Sequence, residues 1–437
     1  MAKMKITLLN VLSEREECIN KDTMGGYGSA TKIGNSFLAK LIESKKKSGV
    51  KLPIFVLGYI AAIFSNKGHV VEYKINEVPK DSDLVIMPSS IVDYKIELEY
   101  ARKIKEETKA KIGFIGPFAS VKPEIFLENS DFVIKNEPEQ AIMEIAKGKI
   151  PKGIIESQPI KDLDTLPYPK WDIFPIEDYG YSPMIDKKPF IPILSSRGCV
   201  FCCNYCPYKA HYGKWRQRTP ENIIKEIKYL KEKFNIKGLL FRDPLFTYDK
   251  DRAKKIAELI IKENLDIEWA CETHFDFLDK ELIDILYNSG FRSLNVGIES
   301  SNQEILKNAT RKSATIEKQN EIVDYCHKKG IRIAAFYILG LPEDTEESIL
   351  QTINYAKKLN TSVAQFFIST PFPGTPFYEQ IKERIYDNDF SHYNSYTPVF
   401  RHKNLTKEQL LNLKEKAFVS YYFRPKYALR FIKDKIR

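Results

Sequence analysis

Four of the seven cysteines lie within eight residues, in the segment Ser196-Arg197-Gly198-Cys199-Val200-Phe201-Cys202-Cys203-Asn204-Tyr205-Cys206. The others, Cys18, Cys271 and Cys326, are scattered. That distribution makes a poor disulfide framework for a long chain and a good metal site. Three readings compete. A four-cysteine zinc site would need Cys199, Cys202, Cys203 and Cys206 together, but adjacent Cys202 and Cys203 cannot easily aim at one ion, and zinc sites separate their cysteine pairs by a loop. Inert buried thiols do not explain the density. The third reading takes Cys199, Cys203 and Cys206, a C-x3-C-x2-C pattern that places three thiolates on a four-iron cluster. Electron carriers use four cysteines for such a cluster, and three leave one iron open to a substrate or cofactor. Cys202 then falls on a spacer position and reads as a spectator.

Cys199 follows residues 191–196, which read as a strand. It is the first of six strand-then-helix units between residues 191 and 380. Further strands are predicted at 238–242, 267–272, 293–298, 331–339 and 363–370, and helices at 220–234, 252–263, 280–288, 316–329 and 346–359. Thr219-Pro220 is a helix start, with threonine as cap and proline in the first turn. Gly290 and Gly330 stand where helices stop. Six such units predict a partial or complete parallel barrel with its reactive groups at the carboxyl ends of the strands. Carboxyl groups recur there: Asp243, Glu272 and Glu299. They could hold a polar ligand through charge-assisted hydrogen bonds, or merely cap helices and form ion pairs. His211 and His274 read as satisfied polar residues rather than ligands.

Residues 1–147 alternate predicted strands (5–12, 69–75, 83–88, 111–116, 131–134) with helices (53–67, 93–107, 137–147). This is the pattern of an α/β, doubly wound parallel sheet, Rossmann- or flavodoxin-like. Ligands of such sheets bind beyond the carboxyl ends of the strands, so Pro88-Ser89-Ser90 and Gly116-Pro117-Phe118 are the loops that matter. The Gly-rich stretch 22–35 is long for a compact domain and reads equally as a ligand-contacting loop or a flexible connection. Residues 148–190 form a connector. Its closely spaced prolines at 167, 169 and 175 exclude a regular helix and predict an extended path across the joint between domains.

The C-x3-C-x2-C spacing with Tyr205 before the last cysteine resembles the signature of the radical S-adenosylmethionine (SAM) superfamily. The resemblance implies a [4Fe-4S] cluster on Cys199, Cys203 and Cys206 whose open iron chelates SAM. The reduced cluster would cleave SAM to a 5′-deoxyadenosyl radical. Further along, Leu240-Phe241-Arg242-Asp243-Pro244-Leu245-Phe246 is similar to the Phe-x-Asp-Asp-x-Phe turn of the cobalamin-binding branch, with Pro244 for the second Asp. Glu272-Thr273-His274 resembles a Glu-Thr-Arg motif, and Gly297-Ile298-Glu299-Ser300 closely resembles Gly-x-Glu-Ser. Leu339-Gly340-Leu341-Pro342 and Pro373-Gly374-Thr375-Pro376 follow the fifth and sixth strands. On this resemblance Tyr205, Asp243, Glu272, Glu299, Ser300 and Gly340 are SAM contacts. Ile115-Gly116-Pro117-Phe118-Ala119-Ser120 resembles a Gly-Gly-Pro-His-Ala-Thr loop, and Asn136-Glu137-Pro138-Glu139 resembles Gly-Glu-x-Glu. Pro88, Ser89, Ser90, Gly116, Pro117 and Phe118 are the implied cobalamin contacts. No Asp-x-His-x-x-Gly motif occurs, so a cobalt-ligating histidine from that motif is excluded. The implied activity is a cobalamin-dependent methyltransferase acting on an unactivated carbon of a small-molecule or lipid-like substrate. The alternatives are oxidation, cyclisation or rearrangement without methyl transfer, and a non-catalytic corrinoid- or iron–sulfur-binding protein. An external electron donor such as flavodoxin or ferredoxin is implied.

The apolar run 52–64 is too short to cross a bilayer, and no signal core with a cleavage site follows the first predicted strand. A cytoplasmic, oxygen-sensitive protein is therefore expected. The formal net charge of +10 is uneven: residues 401–437 hold eleven Lys/Arg against three Asp/Glu. Residues 381–437 form a basic, helical C-terminal segment in which Pro425 should separate two helices. In the second, Ala428, Leu429, Ile432 and Ile436 recur at helical spacing among Lys426, Arg430, Lys433 and Arg437. The expected place for this apolar face is against the barrel, since most amphipathic helices face a core. A face left outside would suit an anionic membrane surface. Nucleic acid is not an expected partner, because no groove-reading or base-stacking module accompanies the charge.

Overall fold

The computed structural model describes residues 3–436. Residues 1, 2 and 437, which fall within the expected domain bounds and the basic tail, lie outside the described residues. The first sheet is built from β1 (Lys5–Asn10), β2 (Val70–Ile75), β3 (Leu84–Pro88), β4 (Lys111–Ile115), β5 (Phe132–Lys135) and β6 (Gly153–Glu156). All neighbours are parallel, in the order β2-β1-β3-β4-β5-β6. The chain leaves β1 in one direction and resumes in the other, so the loops after β1 and β3 diverge and open a crevice at the carboxyl edge. β6 pairs with β5 beyond residue 147, where the sequence pattern places the end of the first domain. It is a four-residue edge strand whose residues alternate between half-buried and exposed, too weak a signal beside the prolines that follow.

The helix Phe55–Asn66 is buried on nearly every side, which explains a sequence apolar all round rather than along one stripe. The sheet covers one side, and the extended connector, with buried Leu163, Leu166, Trp171, Phe174 and Ile176, joins the same core. Among the described residues no helix is long and apolar enough to cross a membrane.

The second sheet runs in sequence order through β7 (Phe190–Ile193), β8 (Gly238–Phe241), β9 (Glu268–Thr273), β10 (Phe291–Glu299), β11 (Arg332–Leu339) and β12 (Val363–Ile368), every pair parallel. β7 and β12 are its edges, so the barrel is open. Its helices begin on side-chain caps: Thr219 before Pro220–Phe234, Asp249 before Lys250–Lys262, Asp279 before Lys280–Asn288 and Thr315 before Ile316–Lys329.

The Gly-rich stretch is neither free nor featureless. Cys18–Asn20 pairs antiparallel with Ser29–Thr31, and the tip reaches the barrel, where the Tyr27 hydroxyl donates to the Pro373 carbonyl at 2.6 Å. Pro425 does divide the C-terminal segment, into Lys407–Tyr422 and Pro425–Ile436. The orientation of the second helix corrects the expectation. Its polar side turns inward: Tyr427 donates to the Ser362 carbonyl, and Arg430 reaches Ser362 Oγ and Asp434. Leu429 and Ile432 are 71% and 54% exposed.

Candidate active site

The cysteines sit on a loop whose root is a two-residue antiparallel ribbon, Ser196–Arg197 against Arg216–Gln217. Gly198 has φ +84° and lies so close to the returning strand that a Cβ would stand 2.1 Å from the Lys214 carbonyl oxygen. Only glycine meets both demands. Cys199, Cys203 and Cys206 are half-buried and Cys202 is exposed. The Cys202 sulfur accepts from Lys209 at 2.8 Å and its carbonyl from Thr310 at 2.7 Å, and it is the exposed one of the four thiols. Burial, and next the neighbouring Cys203, push the Cys206 thiol up to about 12. Burial likewise raises Cys199, with Cys203 adding to it. Thiols that disfavour each other's ionisation need a cationic centre to become thiolates, and a metal group supplies one. Among the described residues no three His, Cys, Asp or Glu side chains converge at single-ion spacing. A cube of iron and sulfide spreads its thiolates wider than one ion does.

The carboxyl ends of both sheets open on one cavity of about 410 Å3. From the first domain it is lined by Lys21 to Gly26, Pro88, Ser89, Gly116, Pro117, Pro138 and Glu139. From the barrel come Tyr205, Cys206, Arg242, Glu272, Asn295, Glu299 and Arg311, with an apolar wall that includes Phe336, Ile338 and Phe367. Of the residues named from sequence, Tyr205, Cys206, Glu272, Glu299, Pro88, Ser89, Gly116 and Pro117 therefore face it. Asp243 does not: it is fully buried, and its carboxylate accepts from Ser195 N, Ser195 Oγ and Ser196 Oγ at 2.5–2.7 Å. Its visible work is to fix the strand that enters the cysteine loop. Ser300 is buried against Thr352 and accepts from Asn302 N. Gly340, at φ +79°, forms a turn whose N–H is held by Asp344. Ser90 is occupied by Glu97, and Phe118 packs among Tyr27, Tyr94 and Phe126.

The cavity's charged groups are paired. Arg242 bridges Glu272 and Asp22, donating also to the Asp22 carbonyl at 2.6 Å. Burial raises both carboxyls while Arg242 opposes the rise. Arg311 lies 3.6 Å from Glu299, donates to the Gly297 carbonyl at 2.8 Å and stands 3.9 Å from Cys203 Sγ. Burial pushes the Glu299 carboxyl up and Arg311 opposes it. Buried Lys21 is clasped by Glu97 and Asp93. His274 spends its ring nitrogens on the Lys312 carbonyl and Asp276 N, and burial lowers it to about 3. His211 also lines the cavity, its Nδ1 without a protein partner, and burial lowers it to about 4.

Arg311, Asp22 and the cavity role of Arg242 were not read from sequence. Arg311 follows a short helix, outside any strand-end motif, and only the folded loop brings it beside Cys203.

A family model described as the radical SAM superfamily matches residues 193–356. An uncharacterized methyltransferase of Pyrococcus horikoshii is 30% identical over 366 residues, 78% of this chain and 78% of that protein. Bacteriochlorophyllide d C-12(1)-methyltransferase of Chlorobaculum tepidum is 28% identical over 281 residues, 62% of this chain and 59% of that enzyme's length. Among solved structures, the radical SAM methyltransferase TsrM from Kitasatospora setae, with cobalamin and a [4Fe-4S] cluster bound, superposes with a TM-score of 0.65 at 16% identity, covering 87% of this chain and 75% of that one. That likeness is one of fold: a doubly wound domain followed by a radical SAM barrel. The family match lies on the cysteine loop and the strands behind it, and the Pyrococcus relative carries it across both domains, so the chain is a radical SAM enzyme, a member of that superfamily.

Proposed function

We propose that the protein is a cobalamin-dependent radical SAM methyltransferase acting on an unactivated carbon of a small molecule. One observation carries this: the cysteine loop and the crevice of a doubly wound domain face each other across a single cavity. Cys199, Cys203 and Cys206 would hold a [4Fe-4S] cluster, and the donor set fits, being three half-buried thiols on one loop with the fourth exposed and met by Lys209. The Glu299–Arg311 pair beside Cys203 would receive the polar groups of SAM, and the Arg242–Glu272–Asp22 chain would close the floor. Pro88, Ser89, Gly116 and Pro117 form a crevice edge of small, turn-forming residues that would admit a flat corrinoid. When bound, the cluster supplies the electron that cleaves SAM to a 5′-deoxyadenosyl radical, and the corrinoid supplies the methyl group. The residues bind, orient and shield: the apolar wall of Phe336, Ile338 and Phe367 keeps water from a reactive carbon. An external donor of the flavodoxin or ferredoxin kind would approach the exposed Cys202 edge.

The expected result is that anaerobically reconstituted protein retains a stoichiometric corrinoid through gel filtration, forms 5′-deoxyadenosine from SAM on reduction, and carries label from methyl-labelled SAM on the corrinoid. Deoxyadenosine without retained corrinoid would replace this reading by radical oxidation, cyclisation or rearrangement. A full complement of iron with no SAM cleavage would replace it by a binding protein.

The C-terminal helix supports a peripheral contact with an anionic membrane surface. It presents Leu429 and Ile432 outward, with exposed Phe423 and Phe431 and exposed Lys426 and Lys433. Near such a surface each basic residue contributes about 1 kcal/mol. Ser362, on which the helix rests, precedes β12, so the contact lies at the amino end of the barrel, away from the cavity. The full chain should sediment with anionic vesicles and be released by salt. Leu429→Ser/Ile432→Ser should cut that binding without loss of thermal stability, since both side chains are exposed. Equal binding by the double variant would end this reading.

A further inference from the structure

The cysteine loop is gripped from outside its own domain. Arg197 and Arg216 face each other across the ribbon at the root of that loop. Glu137, just after β5 of the first domain, accepts from both: from Arg197 at 2.8 Å, and from Arg216 through both of its carboxylate oxygens. Glu139 accepts from Arg197 at 2.7 Å. The Arg197 guanidinium also lies over the Tyr59 ring of the first domain, 5.0 Å from its centroid. Arg197, Glu137 and Glu139 have side chains 3%, 2% and 0% exposed, and Arg216 15%. One carboxylate thus ties the two strands of the ribbon to each other and both to the other domain. The exit of the loop is held as well: Gly25 of the Gly-rich stretch lies so close that a Cβ there would stand 2.9 Å from Tyr208 Cα, two residues past Cys206.

The grip continues into the crevice. Asn136 N donates to Ser120 Oγ at 2.9 Å, and Ser120 N and Oγ both return to the Gly116 carbonyl. Hydrogen bonds from Gly116 to Asn136, the chain from Asn136 to Glu137, and the Glu137 ion pairs therefore join the Gly116-Pro117 edge of the crevice to Arg197 and the cysteine loop. Within one domain, Asp243 would suffice to seat the strand before Cys199. Buried carboxylates from a neighbouring domain are costly unless paired; Glu137 is paired across the ribbon, while Glu139 meets Arg197 alone and keeps its Oε2 without a protein partner.

We propose that Glu137 and Glu139 are positioning residues through which the first domain sets the geometry of the cysteine loop, so that occupancy of the crevice and the hold on the cluster are coupled. This rests on the cluster reading above, and in its second part on the corrinoid reading. Linkage makes the coupling reciprocal: whatever orders the crevice edge tightens the loop, and the reverse.

The test is the rate at which an iron chelator strips the reduced, reconstituted protein, read by absorbance, together with the electron paramagnetic resonance spectrum of the cluster with and without SAM. Glu137→Gln keeps the shape and removes the charge. It should assemble the cluster, lose iron about tenfold faster, within the usual range of coupling energies, and show an altered spectrum with SAM. In the unmutated protein hydroxocobalamin should slow the loss; in Glu137→Gln it should bind and leave the rate unchanged. Lys414→Met, which removes a buried lysine tied to the Lys32 and Tyr396 carbonyls, sets the scale of general destabilisation. Iron loss from Glu137→Gln no faster than from Lys414→Met, with an unaltered spectrum, overturns the proposal. A protective effect of hydroxocobalamin that survives in Glu137→Gln overturns the coupling alone. Failure of the unmutated chain to hold iron overturns the cluster reading and this inference with it.

Discussion

Single replacement of Cys199, Cys203 or Cys206 by alanine should abolish both the iron–sulfur absorbance and the formation of 5′-deoxyadenosine, whereas Cys202→Ala should keep both. The loop supplies three half-buried thiols, and burial, with Cys203 adding to it, raises Cys199 and Cys206, so their thiolates need a cationic group beside them. With one thiolate gone, a cube already short of the usual four cysteines would hang on two. Water would reach it, and loss in the presence of oxygen should be complete rather than partial. Cys202 is adjacent in sequence yet lies on the outside of the loop, with Lys209 on its sulfur and Thr310 on its carbonyl. Iron and sulfide analysis of the four anaerobically reconstituted variants decides the matter. A Cys202→Ala variant without iron beside a Cys203→Ala variant with it would show that the ligand set had been assigned to the wrong neighbour.

The spacing of the cysteines and the strand–helix alternation were legible because each is local: a period along the chain becomes a position in a sheet. β1 to β5 and all six barrel strands fall within a few residues of where the pattern puts them. β6 did not, because an edge strand buries little and so needs no apolar run. The charged partners were illegible for a different reason. Asp243 and Glu299 both stand at strand ends and look alike in sequence. Which one faces the cavity depends on side-chain direction, and Asp243 is drawn inward by two serines of a preceding strand. Asp22 and Arg242 are 220 residues apart and meet only because the Gly-rich loop crosses to the barrel. The C-terminal helix misled for a third reason. Periodicity reports that one face is apolar and says nothing of where it points; here Tyr427 and Arg430 found polar partners on the barrel and turned Leu429 and Ile432 outward.

Arg311→Met should be the most disruptive substitution at the cavity outside the cysteines. Arg311 and Glu299 have side chains only 11% and 13% exposed and lie 3.6 Å apart. Removing one partner of a buried pair costs about 3–5 kcal/mol, because it leaves the other charge uncompensated. Burial already pushes the Glu299 carboxyl up, and without the guanidinium it has no charged neighbour to oppose the rise. The carboxyl would then take a proton at a higher pH, and stability in the variant should fall as pH rises from the ordinary carboxylate range through the raised value, the charged form being the disfavoured one. Glu299→Gln removes that charge, so the double variant Arg311→Met/Glu299→Gln should regain much of the lost stability, and the coupling between the two sites can be read from the cycle. Function should not follow stability. Arg311 also faces Cys203 Sγ and the cavity, and a site without the pair has lost the groups that would meet the ammonium and carboxylate of SAM. Iron should therefore be retained in the double variant while SAM affinity falls by about two to four orders of magnitude, the loss expected for a pair of charge-assisted hydrogen bonds at about 1.5–3 kcal/mol each. Thermal unfolding against pH and equilibrium binding of SAM to the iron-loaded protein are the two measurements. If the double variant regains both stability and SAM binding, the pair is a structural strut, and the recognition of SAM must be sought along Tyr205, Glu272 and Arg242 instead.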